Sequence, residues 1–269
     1  MVAALIIAVA LFTAALPAWG GTGPARQPCM ACHPVHYAER GLCTDCHLGN
    51  PGSERKNIAH AGLRAGKYAR FTLGDAVYLK GTQQLLDQLA CRRCHVSSGR
   101  GNRLAVNLDS SAVRKTALEL ALSVRHPVAN MPDFGLNEEQ TTALVNAVLA
   151  GSQGRKTAAA VPVRVHFNKS GKNGVDAFSK RCGSCHMILS ERLGALGAGE
   201  IGPNLSGLFS KYYPETYRNG ELWTAARLGD WLKNPRRIKL WSRMLPVTLT
   251  AAEMKELESV LSVAPDAGR

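Results

Sequence analysis

All eight cysteines of this chain fall in four copies of one short pattern. The copies are Cys29-Met-Ala-Cys32-His33, Cys43-Thr-Asp-Cys46-His47, Cys91-Arg-Arg-Cys94-His95 and Cys182-Gly-Ser-Cys185-His186. C-x-x-C-H is the pattern for covalent haem attachment. Two thiols add to the vinyl groups of one haem, and the adjacent imidazole reaches the iron. The competing chemistry is a zinc ribbon, with Cys29/Cys32 and Cys43/Cys46 as four thiolates. That reading leaves His33 and His47 unexplained and does not account for the two isolated copies. The spacing therefore predicts four covalently bound haem c groups, with His33, His47, His95 and His186 as proximal ligands.

The elements that must hold these motifs are mainly α with much irregular structure. Residues 1–20 stand apart. Positions 2–18 are apolar throughout, and Ala18-Trp19-Gly20 offers small residues where a signal peptidase reads. No Lys or Arg precedes the run, so the segment reads either as a signal cleaved after Gly20 or as an uncleaved anchor of borderline spanning length. Haem is attached to this motif outside the cytoplasm, which agrees with export to the periplasm. Residues 21–80 form a dihaem module and a connector (66–80). Its two motifs start only 14 residues apart, Cys29 to Cys43, so the two haems must lie against each other. Pro28, Pro34, Gly41, Gly49, Pro51 and Gly52 leave little room for regular structure there.

Residues 81–153 begin with a helix from Thr82 into Cys91. A loop follows, then a helix over 111–124 and a last helix over 138–150 with Asn137 and Gln140 as its N-cap pair. Residues 154–160 read as a linker by composition, and 161–167 as a short extended segment. The third unit, 161–269, repeats the second. A helix carrying Val175 and Phe178 runs into Cys182, a long loop follows, and helices are expected over 222–233 and 251–262, the last with a Thr250/Glu253 capping box.

On that repeat of helix, motif, loop, helix, methionine and helix, residues 81–153 and 159–265 each resemble class I, mitochondrial-type cytochrome c domains. Phe178 before Cys182, the run Gly202, Pro203, Asn204 and Leu205, the pair Asn234-Pro235, and Met244 carry the likeness in the third unit. The resemblance implies that the Pro203 carbonyl accepts from the second ring nitrogen of His186, and that Met244 lies where the distal ligand would. In the second unit Ala105, Val106, Asn107 and Leu108 replace that run; the proline is absent, and Val106 still offers a carbonyl. Residues 28–64 resemble, more loosely, the N-terminal part of cytochromes from extracellular-respiration or selenite/tellurite-reduction systems.

The sixth ligands follow from position. His36 lies too close to His33 to pass around its own haem, so it is assigned to the Cys43/Cys46 haem and His60 to the Cys29/Cys32 haem; the reverse pairing and two surface histidines stay open. Met131 and Met244 each precede the last helix of their unit and are the distal candidates there. His126 falls in a loop and His166 in a short apolar stretch; either could replace His60 if the first unit folds differently.

Lys and Arg outnumber Asp and Glu by 33 to 20, a formal +13. Four haems with their propionates bring this to about +9. The excess favours acidic or membrane-bound redox partners, and export argues against nucleic acid. The expectation is a tetrahaem electron carrier. The alternatives are a haem enzyme with one open iron, such as a small-oxyanion reductase or peroxidase, and an electron-transfer subunit of a larger membrane complex.

Overall fold

The computed structural model describes residues 28–128, 130–155 and 176–264. The apolar segment 2–18, the linker, the 161–167 segment, Val175 and His166 lie outside the described residues. Among the described residues the chain is mainly helical, with one two-stranded antiparallel sheet.

The first unit holds two short helices, α1 (Cys43–His47) and α2 (Lys56–Ala59), and two single 3-10 turns. Prolines and glycines break everything longer. No residue from 28 to 67 is buried.

The connector is not a passive tether. It folds as α3 (Gly66–Ala69) and a 3-10 turn (Arg70–Leu73), burying Tyr68, Ala69 and Phe71. The next helix, α4 (Ala76–Gln88), starts earlier than expected. Asp75 is the reason: its Oδ1 accepts from the Tyr78 amide at 2.9 Å and caps the first turn. Leu79, Thr82, Leu86 and Leu89 then recur at helical spacing toward the core.

The helix expected over 111–124 is two helices, α5 (Leu108–Arg114) and α6 (Ala117–Arg125). Thr116 forces the break. Its Oγ1 accepts from the Glu119 amide at 3.2 Å while Glu119 Oε2 accepts from the Thr116 amide at 2.7 Å, a capping box that starts a new helix. The last helix of the unit, α7 (Glu138–Ser152), is capped by Asn137 and Gln140 and lies in the middle. Leu144, Val145, Ala147 and Val148 pack there with Leu86, Leu120, Tyr68 and Phe71.

The third unit gathers around Phe178, which is wholly buried, with Ile188, Leu208, Leu228, Leu232, Leu257 and Val260. Burial of one such side chain contributes about 1.5–3 kcal/mol. Phe178 comes from α8 (Ala177–Arg181), which Asp176 caps. A hairpin of β1 (Ile188–Ser190) and β2 (Gly194–Leu196) follows the attachment motif, where only a loop was expected. Three residues of strand on each side are too few for sequence alternation to reveal. The unit closes with α9 (Ala225–Lys233), α10 (Pro235–Ile238) and α11 (Ala251–Leu261). Among the described residues no helix is long and apolar enough to cross a membrane.

Candidate haem sites

One turn of helix explains the motif itself. In α1, Cys43, Cys46 and His47 stand at i, i+3 and i+4, so both thiols and the imidazole share one face. The Leu42 amide donates to Asp45 Oδ2 at 2.7 Å and holds that turn closed.

The first unit brings its four histidines together in two pairs. His36 Nε2 and His47 Nε2 face each other at 3.5 Å, with ring centroids 5.7 Å apart and planes nearly perpendicular at 82°. His33 and His60 stand with centroids 6.0 Å apart and planes at 43°. Each pair crosses the motifs: the histidine after the first motif faces that of the second, and the reverse. His47 Nδ1 lies 3.0 Å from the Arg64 carbonyl. A carbonyl at Nδ1 keeps the proton there and leaves Nε2 as the lone-pair donor toward His36. Two nitrogens at this separation are near the span of two metal–nitrogen bonds of roughly 2 Å each.

The second and third units repeat the Nδ1 arrangement. His95 Nδ1 lies 2.8 Å from the Val106 carbonyl, and His186 Nδ1 lies 2.8 Å from the Pro203 carbonyl. A backbone carbonyl does the work at Val106, so the missing proline costs no bond. The poorly solvated surroundings of His95 hold its imidazole below the ordinary histidine range, which favours the neutral, ligating form. Burial likewise pushes the thiols of Cys91 and Cys182 up to about 11. Gly202 completes the third unit's cradle. A Cβ there would stand 2.5 Å from His186 Nδ1, so only glycine lets the backbone pass so close to the ring.

The methionines are placed differently from the histidine pairs. Met131 is half-buried in the turn that follows Val128. Met244 packs against the third unit's core, and its sulfur accepts from Trp231 Nε1 at 3.0 Å. Among the described residues neither sulfur bonds to the histidine of its unit. A thioether and an imidazole attract each other only weakly and meet as ligands only through a metal. His126 is exposed at the C-terminal end of α6.

Several structural contributors carry no sequence signal that singles them out: the Arg64 carbonyl, and Arg92 and Arg93 inside the third attachment motif. Asn146 does carry one. It is a lone amide inside an apolar stretch of α7, and a buried polar group must have partners.

These residues fit covalent haem. No disulfide joins any of the eight cysteines. Among the described residues, no three His, Cys, Asp or Glu side chains gather as a bare metal site. The first unit, with four cysteines, four histidines and no buried side chain, supplies ligands without a core. A polypeptide of that size needs an apolar body from elsewhere to fold around, and a macrocycle is one. Neither a protein-family model nor a solved structure matches this chain.

Proposed function

We propose that the chain is an exported tetrahaem c-type cytochrome that carries electrons one at a time between redox proteins. The observation that supports it most is the crossed pairing of His36 with His47 and of His33 with His60 in a unit that has no polypeptide core. Cys29/Cys32, Cys43/Cys46, Cys91/Cys94 and Cys182/Cys185 would hold the four macrocycles as thioethers. Haem iron, when bound, supplies a one-electron couple.

The chain's residues set the rest. Carbonyls at Arg64, Val106 and Pro203 orient His47, His95 and His186 with Nε2 as donor. Imidazole on both sides favours the oxidised state, while a thioether from Met131 or Met244 favours the reduced state. The ligand order along the chain is therefore downhill, from an N-terminal bis-histidine pair to two His/Met sites. The net positive charge suits acidic redox partners or an anionic membrane face.

Haem counting combined with low-temperature EPR of the oxidised protein tests this reading. Four haems per chain, all low-spin ferric, are expected. A high-spin signal amounting to about one haem would overturn the carrier in favour of a haem enzyme with an open iron. Absence of covalent haem would overturn both.

A further inference from the structure

The second and third units meet through side chains that lie beside their candidate haem ligands. Asn204 directly follows Pro203, whose carbonyl holds His186. The Asn204 carbonyl accepts from Arg93 Nη1 at 2.9 Å and from Tyr213 Oη at 3.3 Å. Its side-chain amide donates to the Asn130 carbonyl at 2.9 Å, and its Oδ1 accepts from the Ser206 amide at 2.9 Å and from Ser206 Oγ at 2.6 Å. Arg93 lies between Cys91 and Cys94, and Asn130 precedes Met131. One asparagine of the third unit therefore joins both the attachment motif and the distal loop of the second.

The surroundings confine this joint. Asn130 is buried, and its amide donates to the Ile188 carbonyl at 3.4 Å. Asn102, also buried, donates to the Arg93 carbonyl and to Ser210 Oγ, each at 2.8 Å. Gly207, at φ +70°, lets the third unit's backbone close on the second: a Cβ there would stand 2.6 Å from the Arg93 carbonyl. The Arg93 guanidinium lies over the Tyr213 ring at 5.5 Å. These partners leave it little freedom, so its charge is fixed one residue from the carbonyl that orients His186.

We infer that Asn204 and Arg93 are positioning residues that lock the second and third units into one body and through which the second unit raises the reduction potential at His186. The inference rests on the haem reading above. The physical basis is simple. A fixed positive charge favours the iron state of lower charge, the reduced one. Asn204, held at its carbonyl by Arg93 and at its side-chain amide by Asn130, keeps the neighbouring Pro203–His186 bond in a single geometry.

Haem content is counted first on the wild type and on the variants Arg93→Gln, Asn204→Leu and Arg103→Gln. Arg103 is an exposed arginine of the second unit and controls for net charge. Spectroelectrochemical titration and thermal unfolding follow on each haem-loaded protein. Arg93→Gln and Asn204→Leu are expected to lower one of the two high-potential couples by at least threefold in its ferrous-to-ferric ratio, about 28 mV for one electron. Arg103→Gln should leave all four couples in place. Asn204→Leu should also split one joint unfolding transition of the second and third units into two.

A wild type short of four haems overturns the functional reading, and this inference with it. Four haems with unmoved couples in Arg93→Gln and Asn204→Leu overturn this inference alone, even if unfolding splits, because Asn204 would then be only a structural joint. An equal shift in Arg103→Gln also overturns it, because the effect would be one of net charge.

Discussion

Replacing Asn146 by leucine should release the first unit from the rest of the protein. Asn146 is fully buried in α7, and both of its N–H donors and its oxygen are engaged within the protein. Its Oδ1 accepts from the Phe71 amide at 2.9 Å, and its Nδ2 donates to the Lys67 carbonyl at 2.8 Å and to the Thr142 carbonyl at 2.9 Å. Leucine has a similar volume but offers none of these. The Thr142 carbonyl keeps its place within the helix and loses little. The Phe71 amide is buried, so leaving it unpaired costs about 1–3 kcal/mol; the partly buried Lys67 carbonyl can recruit water and costs about 1 kcal/mol. The sum is about 2–4 kcal/mol, and it falls on the connector rather than on α7. Local opening of residues 66–73 should therefore become about a hundredfold more frequent, since each factor of ten corresponds to about 1.4 kcal/mol. Limited trypsin digestion of the haem-loaded protein reads this as faster cleavage after Lys67 and Arg70. Asn137→Ala removes a cap from the same helix, at about 1 kcal/mol, without touching the connector, and should not produce that cleavage. Cleavage within threefold of wild type in Asn146→Leu would refute the clamp. The consequence reaches the site, because the Arg64 carbonyl that orients His47 lies two residues before α3.

Three further outcomes follow from the third unit and the attachment motifs. Glu253 caps α11 through the Thr250 amide and accepts from Arg181 Nη2 at 2.9 Å, and these bonds lower its carboxyl to about 2. Its contribution to stability is therefore complete above its ordinary value of 4.5 and is lost as pH falls through about 2. Glu253→Gln should abolish that part of the acid-unfolding curve; an unchanged curve would sink the assignment. In the haem-free chain, a Cys91 thiol near 11 is thiolate in only about one molecule in a thousand at pH 8. Alkylation followed by mass spectrometry should label exposed Cys32 and Cys185 first, with the Cys91 rate rising about tenfold per pH unit; equal rates at pH 8 would contradict this. Gly202→Ala places a carbon 2.5 Å from His186 Nδ1, so the ring must move off the Pro203 carbonyl. About 1–3 kcal/mol of stability should be lost, with a high-spin EPR signal from one haem, and an unaltered spectrum would refute the close approach.

What could be read from the sequence divides by the range of the interaction. The capping pairs Asn137/Gln140 and Thr250/Glu253 are local, three residues apart, and their helices begin where those pairs stand. Thr116/Glu119 is a pair of the same kind, and reading apolar periodicity through it merged α5 with α6. α4 begins ahead of Thr82 because its cap, Asp75, stands inside a stretch whose composition is that of a connector. Carbonyl partners are a different matter. The bond from the His47 ring to Arg64 spans 17 positions and uses only the backbone of Arg64, so no residue type at that position announces it. The Asn204–Asn130 and Asn146–Phe71 bonds span 74 and 75 positions and depend on how packed units meet. Residue types reveal which side chains can ligate; they do not reveal which carbonyl will orient them.

These long-range bonds give the second unit a particular mechanical place. It holds the first unit through Asn146 and the connector, where Arg64 also lies over the Phe71 ring at 5.0 Å. It holds the third through Arg93 and Asn130. Its own core is the four-helix packing around α7 and borrows nothing from 28–64, in which no residue is buried. The order of dependence is thus fixed by burial. The second unit can stand without the first, while on the proposed haem reading the first keeps its histidine pairs in register with the connector docked and the macrocycles filling what its polypeptide does not. A carrier that passes single electrons along a chain of sites needs those sites at constant separation. A packed middle unit that clamps a coreless module on one side and a second packed unit on the other meets that need without a core shared by all three.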